Sequence, residues 1–160
     1  MKILSDKFKN TLWVRYFAFT KIPMIYYTKP SVVELNEERC VIKIPFLRKN
    51  RNHQGSMYFG VLSVGADLAG GIIAMKIIQK SRKNVSLLFK NINGDFLSRV
   101  EDDAYFICND GDAISKAVQE TIATKERVNL PVTINVKTSL NGEDEPLAKF
   151  ILTLSLKDKS

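Results

Sequence analysis

The stretch NHQGSMYFGVLSVGADLAGGIIAMKIIQK, residues 52–80, decides how this chain folds. Its first residues are polar, and from Ser56 to about Lys80 the sequence is apolar. Ser56 suits a helix N-cap, and Lys80, Arg82 and Lys83 suit the C-terminal end, where the backbone dipole favours cations. On a 3.6-residue period Leu62, Val64, Leu68, Ile72, Ile73, Met75 and Ile77 point in several directions. A helix that is apolar all round is enclosed by protein, because any side left in water forfeits its burial. The rest of the chain is therefore expected to wrap around a long central helix.

Working outward, 85–96, 104–108, 132–138 and 147–156 read as strands, with Asn141-Gly142 as a hairpin turn. Asn93-Gly94 has two readings, a tight turn or a bulge inside one long strand. A second helix fits 112–126, where Ile114, Ala117, Val118 and Thr121 make one narrow apolar face behind an Asp cap. Upstream, 32–35 and 40–46 alternate apolar with polar around a turn at 36–39, the pattern of a β-hairpin. Residues 5–27 are aromatic and loosely helical, with Leu12, Tyr16 and Phe19 near helical spacing and Pro23 as a break. They read as a helix docking on the body. The sum is an α+β chain with a buried central helix and about six antiparallel strands. A helical segment over 1–28 precedes a single domain over 29–160.

With 160 residues, 45% hydrophobic and 26% charged, the composition is that of one soluble globular domain. A two-domain enzyme is excluded. Lys7, Lys9, Arg15 and Lys21 interrupt the N-terminal apolar stretch and Asp67 interrupts the central one, so neither a bilayer span nor a signal peptide is expected. That favours a cytoplasmic protein. The two cysteines, Cys40 and Cys108, sit in strand contexts without metal-type spacing and read as buried thiols. The net charge of +7 is concentrated: residues 1–51 hold 11 Lys and Arg against 4 Asp and Glu, and the remainder is neutral. Such an excess suits nucleic-acid phosphates, an anionic membrane surface, the phosphates of a small ligand, or simple solvation. No nucleic-acid motif accompanies it.

Asp67 is the residue whose placement asks for an explanation. A bare carboxylate in a greasy helix costs several kcal/mol unless it is paired, hydrogen-bonded or protonated. Gly60, Ser63, Asp67, Gly70 and Gly71 share one helical face of small residues, which leaves room for another backbone or for a ligand. A structural Asp bonded to Ser63 or to a strand is the competing reading. Just upstream, the amides of Met57, Tyr58, Phe59 and Gly60 fall at the helix N-terminus, where free N–H groups polarise a carbonyl or hold an oxyanion. His53, the sole histidine, reads as a loop residue, since nothing completes a triad. The run from Gly60 to Gly65 is not a nucleophile elbow, and phosphate-loop, dinucleotide and metal patterns are absent.

At this point Asn52-His-Gln-Gly-Ser-Met-Tyr-Phe-Gly60, followed by Ala66-Asp67-Leu-Ala-Gly-Gly71, resembles the signature of hotdog-fold thioesterases of the phenylacetic-acid-degradation type. It is closer still to bacterial relatives in which N-H-x-G-[ST]-M precedes a helix carrying Asp or Glu. The likeness covers most of the chain. It implies a homo-oligomer, a dimer or dimer of dimers, that hydrolyses an acyl-CoA or related acyl thioester, with CoA as part of the substrate and no cofactor or metal. Asn52 matches the family's water- or substrate-positioning Asn and Asp67 its catalytic acid. Phe59 falls where the family places a Gly whose amide, with that of Gly60, polarises the thioester carbonyl. His53, Ser56, Met57, Tyr58 and Ser63 would line the substrate pocket, and Arg48, Lys49 and Arg51 would meet CoA phosphates. The resemblance also favours the bulge reading of Asn93-Gly94.

This chain departs from the family by having Tyr58-Phe59-Gly60 in place of His-Gly-Gly. Bulky residues there suit the alternative of a module that binds acyl-CoA without cleaving it. A third reading, nucleic-acid or membrane-surface binding through the basic, aromatic N-terminus, is the weakest; neither partner is expected.

Overall fold

The computed structural model describes residues 5–141 and 144–160. Two short helices come first, α1 (Asp6–Lys21) and α2 (Pro23–Tyr27), then the hairpin β1 (Ser31–Leu35) and β2 (Cys40–Ile44). A 3-10 turn over Arg48–Asn50 leads to the long helix α3 (Phe59–Ser81). It is followed by β3 (Val85–Phe96), β4 (Ala104–Cys108), α4 (Gly111–Thr124), β5 (Val128–Lys137) and β6 (Ala148–Asp158). The strands form one six-stranded sheet in the order β1-β2-β4-β5-β6-β3, every pairing antiparallel. α3 lies across β2 to β6. This long helix wrapped by an antiparallel sheet is the hotdog fold.

The helix can lie so close because of glycine. A Cβ at Gly65 would stand 2.3 Å from the Phe106 ring of β4, so that fully buried ring presses its edge on bare backbone. At Gly70 the nearest atoms, from Val132 and Ile134 of β5, would be 3.4 and 3.5 Å away, ordinary contact. Around these points Ala66, Leu68, Ala69, Ile72 and Ile73 meet Ile134, Leu152 and Leu154 in one core. α3 has the length and apolarity of a membrane span, but it is the core helix of this fold.

Several expectations need correction. α3 starts at Phe59 with Tyr58 as its cap residue and no side-chain cap; Ser56 is held by Asn52 instead. Nor is α3 enclosed on every side, since Ser63, Val64, Asp67, Met75 and Lys76 are only partly buried. The acid before α4 is Asp110, and it does not cap the helix: its Oδ2 accepts from the Thr133 N–H at 2.6 Å, tying the helix start to β5. β3 runs straight through Asn93-Gly94, so there is no turn; its register shift lies between Phe89 and Asn91. Gly94 is small for a different reason, because a Cβ there would lie 2.6 Å from the Phe150 ring.

On α1 the docking face is Val14 and Ala18, with Trp13 beside the core, whereas Leu12, Tyr16 and Phe19 are exposed. The Thr11 hydroxyl accepts from the Val32 N–H and the Arg15 Nε donates to the Pro30 carbonyl, each at 2.9 Å, fastening α1 to the start of β1. The turn at 36–39 is built by Asn36, whose Oδ1 accepts from the amides of Glu38 and Arg39. The hairpin read at Asn141-Gly142 joins β5 to β6, and Gly142 lies outside the described residues. Cys40 and Cys108 are buried free thiols facing each other across β2 and β4, and burial pushes the Cys108 thiol up to about 11.

Gly65→Ala is expected to lower stability by about 1–3 kcal/mol or more, because its methyl overpacks a ring with nowhere to go. Gly70→Ala, with room for the methyl, is expected to change it far less. Thermal unfolding of the two variants side by side checks the pair.

Candidate functional site

Asp67 sits two turns into α3, in a groove of about 350 Å³ between that helix, α1 and β3. Phe17 and Ile22 come from the N-terminal helices, Leu68, Gly71, Ile72 and Met75 from α3, and Leu87, Leu88 and Phe89 from β3. Among the described residues no hydrogen bond or ion pair reaches the Asp67 carboxylate. The Ser63 hydroxyl, the expected partner, donates to the Phe59 carbonyl at 3.1 Å. Gly71 keeps the groove open at the acid's side: a Cβ there would lie 3.9 Å from Asp67 Oδ1 and 3.5 Å from the Phe89 ring. Burial among these apolar walls raises the Asp67 pKa to about 6, because nothing offsets the lost hydration of the charged form.

The expected small-residue face does not stay together. Gly70 turns toward β5 and Gly60 lies under the Tyr58 ring, whose Cε1 would be 2.4 Å from a Cβ. Only Ser63 and Gly71 flank the acid.

Asn52 is somewhere else, in a second groove of about 370 Å³ with Ser56, Met57, Phe59, Leu62, Phe96 and the 97–100 loop. Its side chain builds the turn that precedes α3. The Oδ1 accepts from the amides of Gln54 at 2.9 Å and Ser56 at 3.2 Å, and the Nδ2 donates to the Ser56 hydroxyl at 3.0 Å. One Nδ2 hydrogen remains. Gly55 adopts φ +81° in that turn, a conformation that side chains resist. His53 is exposed on the turn, while Ser56 and Met57 are buried beneath it.

Of the amides read as free, two are used. Met57 N–H donates to the Val100 carbonyl at 2.7 Å and Tyr58 N–H to the Asn50 carbonyl at 2.9 Å. The Phe59 and Gly60 amides, at the first two positions of α3, have no acceptor among the described residues, as the first turn of a helix dictates. The Tyr58 and Phe59 rings pack on each other at 4.7 Å, both about half exposed, and Phe59 meets Phe96 edge-on. Eight residues of helix separate Phe59 from Asp67, about 12 Å along the axis at 1.5 Å per residue. One chain therefore does not bring the acid and the amides onto one carbonyl.

The cations divide. Arg51 donates to the Phe46 carbonyl at 3.0 Å and stacks on that ring, and Lys49 turns away to the Tyr27 carbonyl and ring. Arg48 is exposed beside them. Sequence reading missed Asn50, which is fully buried: its Nδ2 donates to the Thr28 and Pro45 carbonyls, and its own carbonyl receives Tyr58, setting where α3 begins. It also missed the walls given by Phe17, Ile22, Leu87 and Phe89, which carry no local signal beyond apolarity.

The chain belongs to the family described as a domain of unknown function, DUF4442, whose model matches residues 11–143. Among curated proteins none matches the sequence. Solved structures share the fold at low identity. A protein with unknown function from Chlorobaculum tepidum is 14% identical with a TM-score of 0.79, over 94% of this chain and 96% of its own. A thioesterase from Haemophilus influenzae is 14% identical with a TM-score of 0.65, over 98% and 93%. A thioesterase family protein from Silicibacter pomeroyi is 17% identical with a TM-score of 0.64, over 92% and 98%.

The raised acid makes stability pH-dependent. From its ordinary 3.8 to about 6 the folded chain holds a proton on Asp67 that the unfolded chain has lost, so its contribution falls as pH rises through that window. Asp67→Asn is expected to stabilise the protein at pH 8 by up to about 3 kcal/mol, at 1.36 kcal/mol per unit of pKa, and to change little at pH 3. Denaturant melts of both proteins at the two pH values measure it.

Proposed function

We propose that this protein hydrolyses acyl thioesters of the acyl-CoA kind, in a site assembled from two copies of the chain. The observation that carries the reading is Asp67: a carboxylate without a partner among the described residues, held at a cost to stability, on the wall of an apolar groove. Such an acid suits a base working near neutral pH. Its groove suits an acyl chain, and the free Phe59 and Gly60 amides suit the oxyanion that forms when a thioester carbonyl is attacked.

The separation of these parts along α3 supports the composite arrangement. Among the described residues β3 pairs only with β6 and has no neighbour on its other edge, and Leu88, Ile92, Phe96 and Leu97 are exposed along it. A bare edge of that length invites a second strand. Pairing there sets Asp67 of one chain facing the helix N-terminus of the other. Asp67 takes a proton from water as the oxygen attacks the carbonyl carbon. The tetrahedral oxyanion is held by the two amides, the C–S bond breaks, and the proton passes to the leaving thiolate. Asn52 shapes the loop that presents the amides, with one N–H left for substrate or water. Arg48 and the unused N–H groups of Arg51 lie on that side for CoA phosphates. CoA enters as part of the substrate, without cofactor, and buried free thiols suit a reducing cytoplasm.

Asp67→Asn is expected to lower kcat for acyl-CoA hydrolysis by on the order of 100-fold or more, and the wild-type rate to rise with pH through about 6, where the acid ionises. Release of free CoA, followed with a thiol reagent, reads both. Full activity in the variant would sink the base, and tight acyl-CoA binding with no thiol released would leave a holding module instead. Phe59→Pro removes one amide from the first helical position, where proline fits and where Tyr58 already has a compatible φ of −65° and ψ of 134°. The rate is expected to fall on the order of 100-fold. Mixing the two inactive variants is expected to restore activity, since a mixed dimer holds one intact site. A mixture as inactive as its parts would overturn the composite site.

A further inference from the structure

The N-terminal helices carry a second chemistry that hydrolysis leaves unused. One side of α1 docks on the body, and its opposite side presents Phe8, Leu12, Tyr16 and Phe19 at 48, 49, 70 and 63% exposure, a single row at helical spacing. Met24 and Tyr26 of α2 extend the row, 71 and 46% exposed, and Tyr26 meets Phe19 edge-on at 5.2 Å. Apolar surface of this extent marks a contact.

Tyr26 also bounds a cavity of about 280 Å³ together with Arg15, Pro23, Tyr27, Lys29 and Lys49. Three cations converge there, and among the described residues no carboxylate forms an ion pair with any of them. The Lys49 ammonium already leans on the Tyr27 carbonyl and ring, and burial and the neighbouring Lys29 charge hold its pKa below the usual lysine value. Lys7, Lys9 and Lys21 add charge along α1 against the single acid Asp6. An apolar face alone suits any apolar partner and a cationic pocket alone suits any anion. Sharing Tyr26, they suit a partner that is greasy and carries phosphate at its boundary. A second copy of this chain does not fit that description, because a two-fold contact sets the same cations against one another.

We infer that the α1–α2 corner docks on an anionic phospholipid surface, with Tyr16, Phe19 and Met24 at the level of the headgroups and a lipid phosphate held by Arg15, Lys29 and Lys49. Aromatic rings favour that depth, and basic side chains add attraction to the anionic leaflet. This goes against the sequence expectation, which ranks membrane-surface binding through the basic, aromatic N-terminus as the weakest of three readings. It stands apart from the hydrolysis reading.

Flotation of the full chain with phosphatidylcholine vesicles, with and without phosphatidylglycerol, tests it. Binding is expected only to the anionic vesicles, weakening as salt screens the charge. Lys29→Asn with Lys49→Gln is expected to lower partitioning about 30-fold, Asn being suited to the positive φ of 58° at position 29. Tyr16→Ser with Phe19→Ser, both at exposed positions, is expected to abolish binding, with circular dichroism reporting that each variant is folded. No flotation with anionic vesicles, equal flotation with neutral ones, or full binding by either folded variant overturns the inference. So does a fall in native mass in the Tyr16/Phe19 variant, which would make the row a contact between copies.

Discussion

The meeting of Gly65 with the Phe106 ring sets the distance between the central helix and its sheet. A helix face with side chains at every position would stand off by their thickness, and the curved sheet would close around empty space. With backbone bare at that point, Phe106 fills the gap from β4, and Ala66, Ala69 and Ile73 settle on either side in the same layer. The rest of the core follows from that approach, since protein interiors tolerate neither voids nor crowding. Gly94 does the same on β3, where it lets Phe150 lie across the strand.

A helix pressed this tightly to the middle of the sheet stands less closely against its β3 margin. The groove left there carries Asp67 and Gly71, with Leu87, Leu88 and Phe89 of β3 on one side and Phe17 and Ile22 from the N-terminal helices on the other. The same geometry that buries most of α3 therefore leaves a carboxylate half-covered by apolar walls, deep enough to lose its hydration and without a partner among the described residues. Its raised pKa is the physical trace of that position. The two short N-terminal helices thus have two faces with different duties: one completes the groove beside Asp67 and the core beneath it, and the other meets whatever lies outside.

Much of this was legible in the residues. The apolar run from Ser56 to about Lys80 reads as a core helix, Asp67 stands out within it, and the strands are marked by alternation and by β-branched residues. The errors share a cause. Ser56, the acid before α4, and the amides of Met57 and Tyr58 were assigned by local chemistry, yet each was claimed by a partner distant in sequence or by a competing turn: Asn52 for Ser56, Thr133 for Asp110, Val100 and Asn50 for the two amides. Leu12, Tyr16 and Phe19 have helical spacing, but α1 has two apolar faces, and only packing decides which one faces in. Asn93-Gly94 carries the strongest local turn signal on β3 and still lies flat, because eleven paired positions with β6 outweigh a dipeptide preference.

What the sequence determined by itself is therefore the inventory: a greasy helix with an acid in it, the strands to wrap it, and an excess of cations at one end. These depend on hydrophobic periodicity and on the energy of a lone charge in oil, both properties of a short window of chain. Which groups share a space is settled by packing across the whole chain. Asp67 and Phe59 lie on one helix yet in separate grooves, and Arg15, Lys29 and Lys49 lie far apart in sequence yet around one cavity. Proximity of that kind comes from how the sheet curls and where the helices dock, and no local pattern encodes it.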